Sequence, residues 1–202
     1  MNSFIQRSNA PDDHMMWQRF IAGEVAAFND LMSSQFRSLF HYGSKFSRDR
    51  EFVKDSIQDL FLLLWERRER LRDDVILKPY LMASLRRLMH RKSDLKARIE
   101  MEEFKGQEAP FELQFSVEQH YIEEESTLLL AENLKKLLND LPPRQKEVVY
   151  LKYYQELDRS QIAEIMEVSP QTVSNLLQIA LKHLKTHWRA EFLTFFLLHF
   201  LV

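Results

Sequence analysis

From Met15 to Tyr42 apolar residues recur every three or four positions: Trp17, Phe20 and Ile21, then Phe28, Leu31 and Met32, then Phe36, Leu39 and Phe40. That spacing predicts one or two amphipathic helices with a single inward face. The polar run SRDRE, Ser47 to Glu51, interrupts the pattern, and Val53, Ile57, Leu60, Phe61 and Leu64 restart it up to about Arg70. Asp73 and Asp74 mark a short break, and Pro79 suits the first turn of a further helix running to about Arg98. The first half therefore predicts a helical bundle.

Residues 99–125 lose this periodicity and carry nine acidic residues against one Lys, which reads as a flexible acidic linker extended by like charges. Beyond it, Leu128 to Leu141 predicts a Leu-rich helix, Pro142-Pro143 punctuates, and RQKEVVYLKYYQ predicts the next helix with Pro143 at its start. Asp158 or Ser160 then caps a short helix, SQIAEIMEV, a turn follows around Ser169, and SPQTVSNLLQIALKHL reads as a longer helix. The small Ala163 permits a close crossing, and Ser169 with Pro170 forms a natural helix start. Two helices joined by so short a turn form a helix-turn-helix.

Composition supports this picture: 3 Gly and 6 Pro in 202 residues predict an all-α chain, long enough for two small domains. No Cys occurs, so no disulfide or thiolate metal site is expected, and a cytoplasmic location is the expectation. The beginning of the chain, MNSFIQRSNAPDD, lacks the apolar core of a secretory signal, and no apolar run approaches the roughly 20 residues of a membrane span. The formal charge of −2 conceals a strong unevenness: residues 82–98 hold Arg86, Arg87, Arg91, Lys92, Lys96 and Arg98 against Asp94 alone. A net +5 on one predicted helix suits a surface that tracks phosphates, with an ordinary solvated face as the bland alternative.

The segment LPPRQKEVVYLKYYQELDRSQIAEIMEVSPQTVSNLLQIALKHLK resembles region 4 of the sigma-70 family of RNA polymerase initiation factors, in its small extracytoplasmic-function (ECF) class. The resemblance rests on the LPPRQ opening, the IAEIM first helix, the S-x-x-T-V turn and the A-L-K-x-L exit. Upstream, DSIQDLFLLLWERR, Asp55 to Arg68, is similar to the family's region 2.2, and YLMASLRRLMHRKSD, Tyr80 to Asp94, to its regions 2.3 and 2.4. The domain expectation is thus region 2 over 1–98, linker over 99–127, region 4 over 128–190 and an apolar tail over 191–202.

The resemblance implies a role for each segment. LFLLLW is apolar all round, so it is either core on every side or partly a partner surface. The family binds the β′ coiled coil of core RNA polymerase there, which makes Asp55, Gln58, Asp59, Leu62, Trp65 and Glu66 the expected contacts. Val53, Ile57, Leu60, Phe61 and Leu64 are then core. Recognition and melting of the −10 promoter element fall to Tyr80, Arg86, Arg87, His90, Arg91 and Lys92 and to the loop before them, about Arg70 to Pro79. Relatives usually carry Trp at Tyr80 and Asn at Arg87. Arg159, Ser169, Gln171, Thr172, Ser174, Asn175, Gln178 and Lys182 are the expected −35 contacts, and the β flap the second polymerase contact. No catalytic residue, metal or cofactor is expected.

Between Pro170 and Ala180 the reading helix has no charged residue, although relatives place bases at Ser174 and Ile179. Each missing phosphate contact removes part of the salt-dependent grip, so weak −35 binding by this module alone follows. Either neutral hydrogen bonds and DNA shape read the element, or an activator or accessory DNA-binding protein delivers region 4 to it. An anti-sigma factor is a further expected partner for this class. The tail FLTFFLLHFLV, Phe192 to Val202, is too short to span a bilayer and is expected to fold back onto region 4, with an inhibitor or a membrane face as the alternative partner of so apolar an end. His183 and His187 lack the intervening carboxylate of a metal helix. Two rivals stand beside this reading: a ligand-sensing helix-turn-helix repressor or activator binding a palindrome as a dimer, and an adaptor that binds polymerase without reading promoters.

Overall fold

The computed structural model describes residues 10–99, 110–112 and 134–187, and the chain divides into two compact units, Met1–Phe104 and Lys105–Val202. All regular structure among the described residues is helical. The apolar tail, the ends of the linker and the side chain of His187 lie outside the described residues.

The first unit contains α1 (Ala10–Ile21), α2 (Val25–Gly43), α3 (Arg50–Glu66), a 3-10 turn (Arg68–Arg70) and α4 (Leu77–Ile99). The apolar stripe from Met15 to Tyr42 is split into two helices at Gly23, whose φ of 87° lies where a Cβ is strained. Asp49 starts α3 by accepting hydrogen bonds from the backbone N–H of Glu51 and Phe52, each 3.1 Å. Trp17, Phe20, Leu31, Leu39, Val53, Ile57, Phe61, Leu81, Leu85 and Met89 are buried together, one face from each helix. Leu60 and Leu64 join them. At Gly43 the backbones close in so far that an added Cβ would stand 2.8 Å from Val53 Cγ1 and 3.3 Å from Met89 Sδ.

In the second unit a short helix, α5, described over 134–139, precedes α6 (Pro143–Val149), a π-helical turn (Tyr150–Tyr154), α7 (Arg159–Met166) and α8 (Pro170–His187). The single helix expected over RQKEVVYLKYYQ is therefore an α-helix that widens into a π turn, closed by Gln155 N–H to Tyr150 O at 3.1 Å. Such a turn inserts one residue per round and redirects the side chains beyond it. Tyr150 is buried, stacked on Tyr154 at 5.1 Å, and meets the edge of Phe111 at 5.7 Å. Phe111 belongs to the acidic linker, yet it is only 2% exposed.

Asp158, rather than Ser160, caps α7 in a capping box: its carboxylate accepts from Ser160 and Gln161 N–H, and the Gln161 amide oxygen accepts from Asp158 N–H. The turn passes through Glu167 in the left-handed region, φ 54°. Ser169 Oγ then accepts from Thr172 N–H at 3.1 Å and begins α8. Ile162, Ala163, Ile165 and Met166 of α7 are buried, as are Val173, Ala180 and Leu184 of α8.

Candidate polymerase and nucleic-acid surfaces

On α3, Asp55, Gln58, Leu62 and Glu66 are exposed and Asp59 is half-buried, a strip opposite the buried Val53, Ile57, Phe61 and Leu64. Leu62 is 53% exposed in its middle. Trp65 differs from these: it is half-buried, edge-on to Phe20 at 5.5 Å and Phe28 at 5.3 Å, with the Arg68 guanidinium 4.9 Å above its ring. Its ring is part of the seam between α1, α2 and α3, so much of its contact area is internal.

Beside this strip, α3 and α4 enclose a groove lined by Asp59, Leu62, Leu63 and Glu66 from one side and Leu88, Arg91, Lys92 and Leu95 from the other. Leu95 is 58% exposed. The groove is bridged by an ion pair, Lys92 Nζ to Asp59 Oδ2 at 2.6 Å. Lys92 also stands 5.9 Å from the Phe52 ring centroid. Sequence reasoning placed Asp59 and Lys92 on separate surfaces; the structure joins them. Leu88 and Leu95, seven residues apart, were the signal for the second wall that the reading of α3 alone missed.

Arg91 shares the groove wall with Lys92, while Arg86, Arg87 and His90 turn elsewhere. Arg87 and Arg91 are exposed and Arg86 and His90 half-buried, with Leu85, Leu88 and Met89 beneath them in the core. Arg87 Nη2 donates to Ser84 Oγ at 3.2 Å, and the His90 ring meets Phe46 edge-on at 5.5 Å. Tyr80 is half-buried with its ring edge against Trp17, 5.6 Å between centroids. Trp17 in turn donates from Nε1 to Arg72 O at 2.9 Å, tying the loop ahead of α4 to α1. That loop carries a clasp of its own, Arg72 to Asp74 at 2.6 Å and 2.9 Å.

On α8, Gln171, Asn175, Gln178 and Lys182 are exposed at spacings of four, three and four, one stripe facing away from the core. Gln171 Nε2 donates to Asn175 Oδ1 at 3.0 Å, so the amides order one another. Thr172 and Ser174 are half-buried, Ser174 back-bonding to Pro170 O at 3.2 Å. Ile179 is 54% exposed beside the stripe. Arg159, at the start of α7, brings Nη1 to 3.5 Å from Ser174 Oγ. The uncharged stretch of α8 thus has a cation beside it, carried by the neighbouring helix across the turn.

Residues 131–184 match the family model for sigma-70 region 4. No curated protein matches the chain in sequence. Among solved structures, CnrH in complex with the cytosolic domain of CnrY is similar at 16% identity, covering 86% of this chain and 95% of that one, with a TM-score of 0.57. The sigma factor RpoE of Bartonella quintana, in complex with the anti-sigma factor NepR, is similar at 18% identity, covering 81% of this chain and 97% of that one, with a TM-score of 0.58. At these identities the two structures establish a shared fold across both units. Residues 131–184 are thus similar to sigma-70 region 4, within a chain whose fold is shared with these two structures.

Proposed function

We propose that the protein is a transcription initiation factor of the ECF class that binds core RNA polymerase and gives it promoter recognition and −10 melting. It works in the cytoplasm by binding rather than catalysis. The observation that carries the reading is the pairing, on one chain, of a sigma-70 region 4 with a helical unit that exposes Leu62 amid Asp55, Gln58, Asp59 and Glu66. An apolar side chain so exposed, ringed by acids and an amide, suits a basic coiled-coil partner such as the polymerase β′ subunit. Residues 1–98 would then hold polymerase and the −10 strand, and 128–190 the −35 element and the β flap.

Within that reading, Arg86, Arg87 and Arg91 supply a cationic track for the phosphates of the opened strand. Tyr80, packed edge-on against Trp17, supports the loop ahead of α4 and offers only part of its ring to a base. Arg159, Gln171, Asn175, Gln178 and Lys182 face the −35 element. CnrH and RpoE were each solved with a partner named in the same complex, and the second partner is an anti-sigma factor. We propose that an anti-sigma factor likewise silences this chain.

Capture of core polymerase tests the reading. The tagged full chain should retain the core subunits from a lysate of its own cells, and Leu62→Asp should lower the retained core by at least about tenfold, the effect of burying one uncompensated charge at an interface. Equal capture by both chains would refute it. With captured holoenzyme, run-off transcription and mapping of 5′ transcript ends then separate an initiation factor from an adaptor. The uncharged stripe of α8, with Ile179 at its edge, favours one refinement: an accessory DNA-binding protein or activator delivers region 4 to its promoter. Tight, sequence-specific binding of promoter DNA by the 128–190 segment alone would argue against delivery.

A further inference from the structure

Six side chains of α4 could serve DNA, but they do not share one face. Successive residues of a helix are rotated by about 100°, so Arg86, His90, Arg87 and Arg91 fall within an arc of roughly 140°. Lys92 lies about 100° past Arg91, beyond the direction of Leu88 and Leu95. Those two leucines line the groove between α3 and α4 together with Arg91, at the end of the arginine arc, and Lys92. Its ammonium is held there by Asp59 Oδ2 at 2.6 Å. The cation is therefore turned from the arginine track toward the α3 strip.

We propose that Lys92 is a positioning residue of the polymerase-docking face rather than a DNA contact: it holds the Asp59 carboxylate beside Leu62 in the orientation that receives a basic partner. The inference rests on the reading of α3 as that docking face. One oxygen of Asp59 is committed to Lys92, and the carboxylate has a second oxygen for an incoming donor, in keeping with its half-buried state. An ion pair this open to solvent contributes little to folding. What it restricts is the rotation of Asp59, and a carboxylate already held in place loses less freedom when a partner arrives. The stem of Lys92 also walls the groove next to Leu88, where an amphipathic helix would lay its apolar residues.

The test measures the affinity of the full chain for core polymerase in the Lys92→Met, Lys92→Arg, Asp59→Asn and Asp59→Asn/Lys92→Met variants, with Leu62→Asp alongside. Lys92→Met should weaken core binding about fivefold, the scale of losing one ordered charge contact at an interface. Lys92→Arg should restore most of the loss. Because Lys92 acts through Asp59, the double variant should bind no more weakly than Asp59→Asn alone, a non-additivity that a purely local packing defect would not produce. At saturating core, a forked DNA built on the mapped promoter should bind Arg87→Ala holoenzyme less tightly than wild type, and Lys92→Met holoenzyme as tightly as wild type. Unchanged core affinity in Lys92→Met, additive losses in the double variant, or a DNA defect matching Arg87→Ala would each overturn the inference. If Leu62→Asp also binds core normally, the α3 reading itself has failed, a result distinct from failure of Lys92 alone.

Discussion

His41 shows how a single side chain can acquire a pH dependence that sequence does not announce. Its pKa is lowered from 6.5 to about 4, first by burial and then by the nearby cations Lys45 and Arg37. Lys45 is itself buried, and desolvation lowers its pKa. Below pH 6.5 the unfolded chain binds a proton that the folded imidazole refuses, so the contribution of neutral His41 is complete above 6.5 and drains away as pH falls toward about 4. Denaturation midpoints of the wild type should therefore fall more steeply over that interval than those of His41→Gln; parallel curves would show that the imidazole is not held neutral. In Lys45→Met, with one cation removed, the His41 resonance should titrate at higher pH than in the wild type. At the same scale Trp65 and Leu62, three residues apart in one apolar run, have different surroundings: Trp65 meets the rings of Phe20 and Phe28, whereas Leu62 is 53% exposed.

The elements depend on local chemistry at their ends and on tertiary contact along their length. Helix α7 has only eight residues, too few to be stable alone, and its capping box satisfies the N–H groups that its first turn leaves open. Asp158→Ala should cost about 1 kcal/mol in chemical denaturation, and the loss should be recovered by Asp158→Ser. The π turn at Tyr150–Tyr154 has a different support, the ring of Phe111 set against Tyr150. Phe111→Ala should destabilise the second unit by about 3 kcal/mol, since it empties an almost fully buried aromatic site. A loss below about 1 kcal/mol would mean that the ring contributes no packing there. Neither the π turn nor this contact was legible in advance: residues 99–125 show no periodicity, so a buried Phe among acids carries no local signature.

Across the whole molecule, charge is divided by task. The first unit concentrates bases on α4 and acids on the strip of α3, whereas the exposed stripe of α8 is amides with Lys182 at its end and Arg159 beside it. If α8 meets the promoter as proposed, its shortage of cations should leave promoter binding by the assembled holoenzyme with only a shallow salt dependence through region 4. Ile179→Arg restores a base at one edge of the stripe and should steepen the slope of log affinity against log salt by about one unit. An unchanged slope would place Ile179 away from DNA and strengthen the view that region 4 is delivered by a protein contact. Among the described residues no helix is long and apolar enough to cross a membrane.

Sequence by itself determined the helical class, the break before α3, the reach of α4, the helix-turn-helix and the inward residues of α3. Each of these follows from the 3.6-residue period of burial and from capping, which act within a few residues of the position they specify. Only the tertiary structure decided that Asp59 and Lys92 form a pair, that Trp65 faces inward, that Phe111 closes the π turn and that Arg159 stands beside Ser174. Apart from Phe111, which reaches Tyr150 from a non-helical stretch, those pairings join residues whose approach depends on how helices cross, and helix crossing is set by the packing of whole faces rather than by any one stretch of chain.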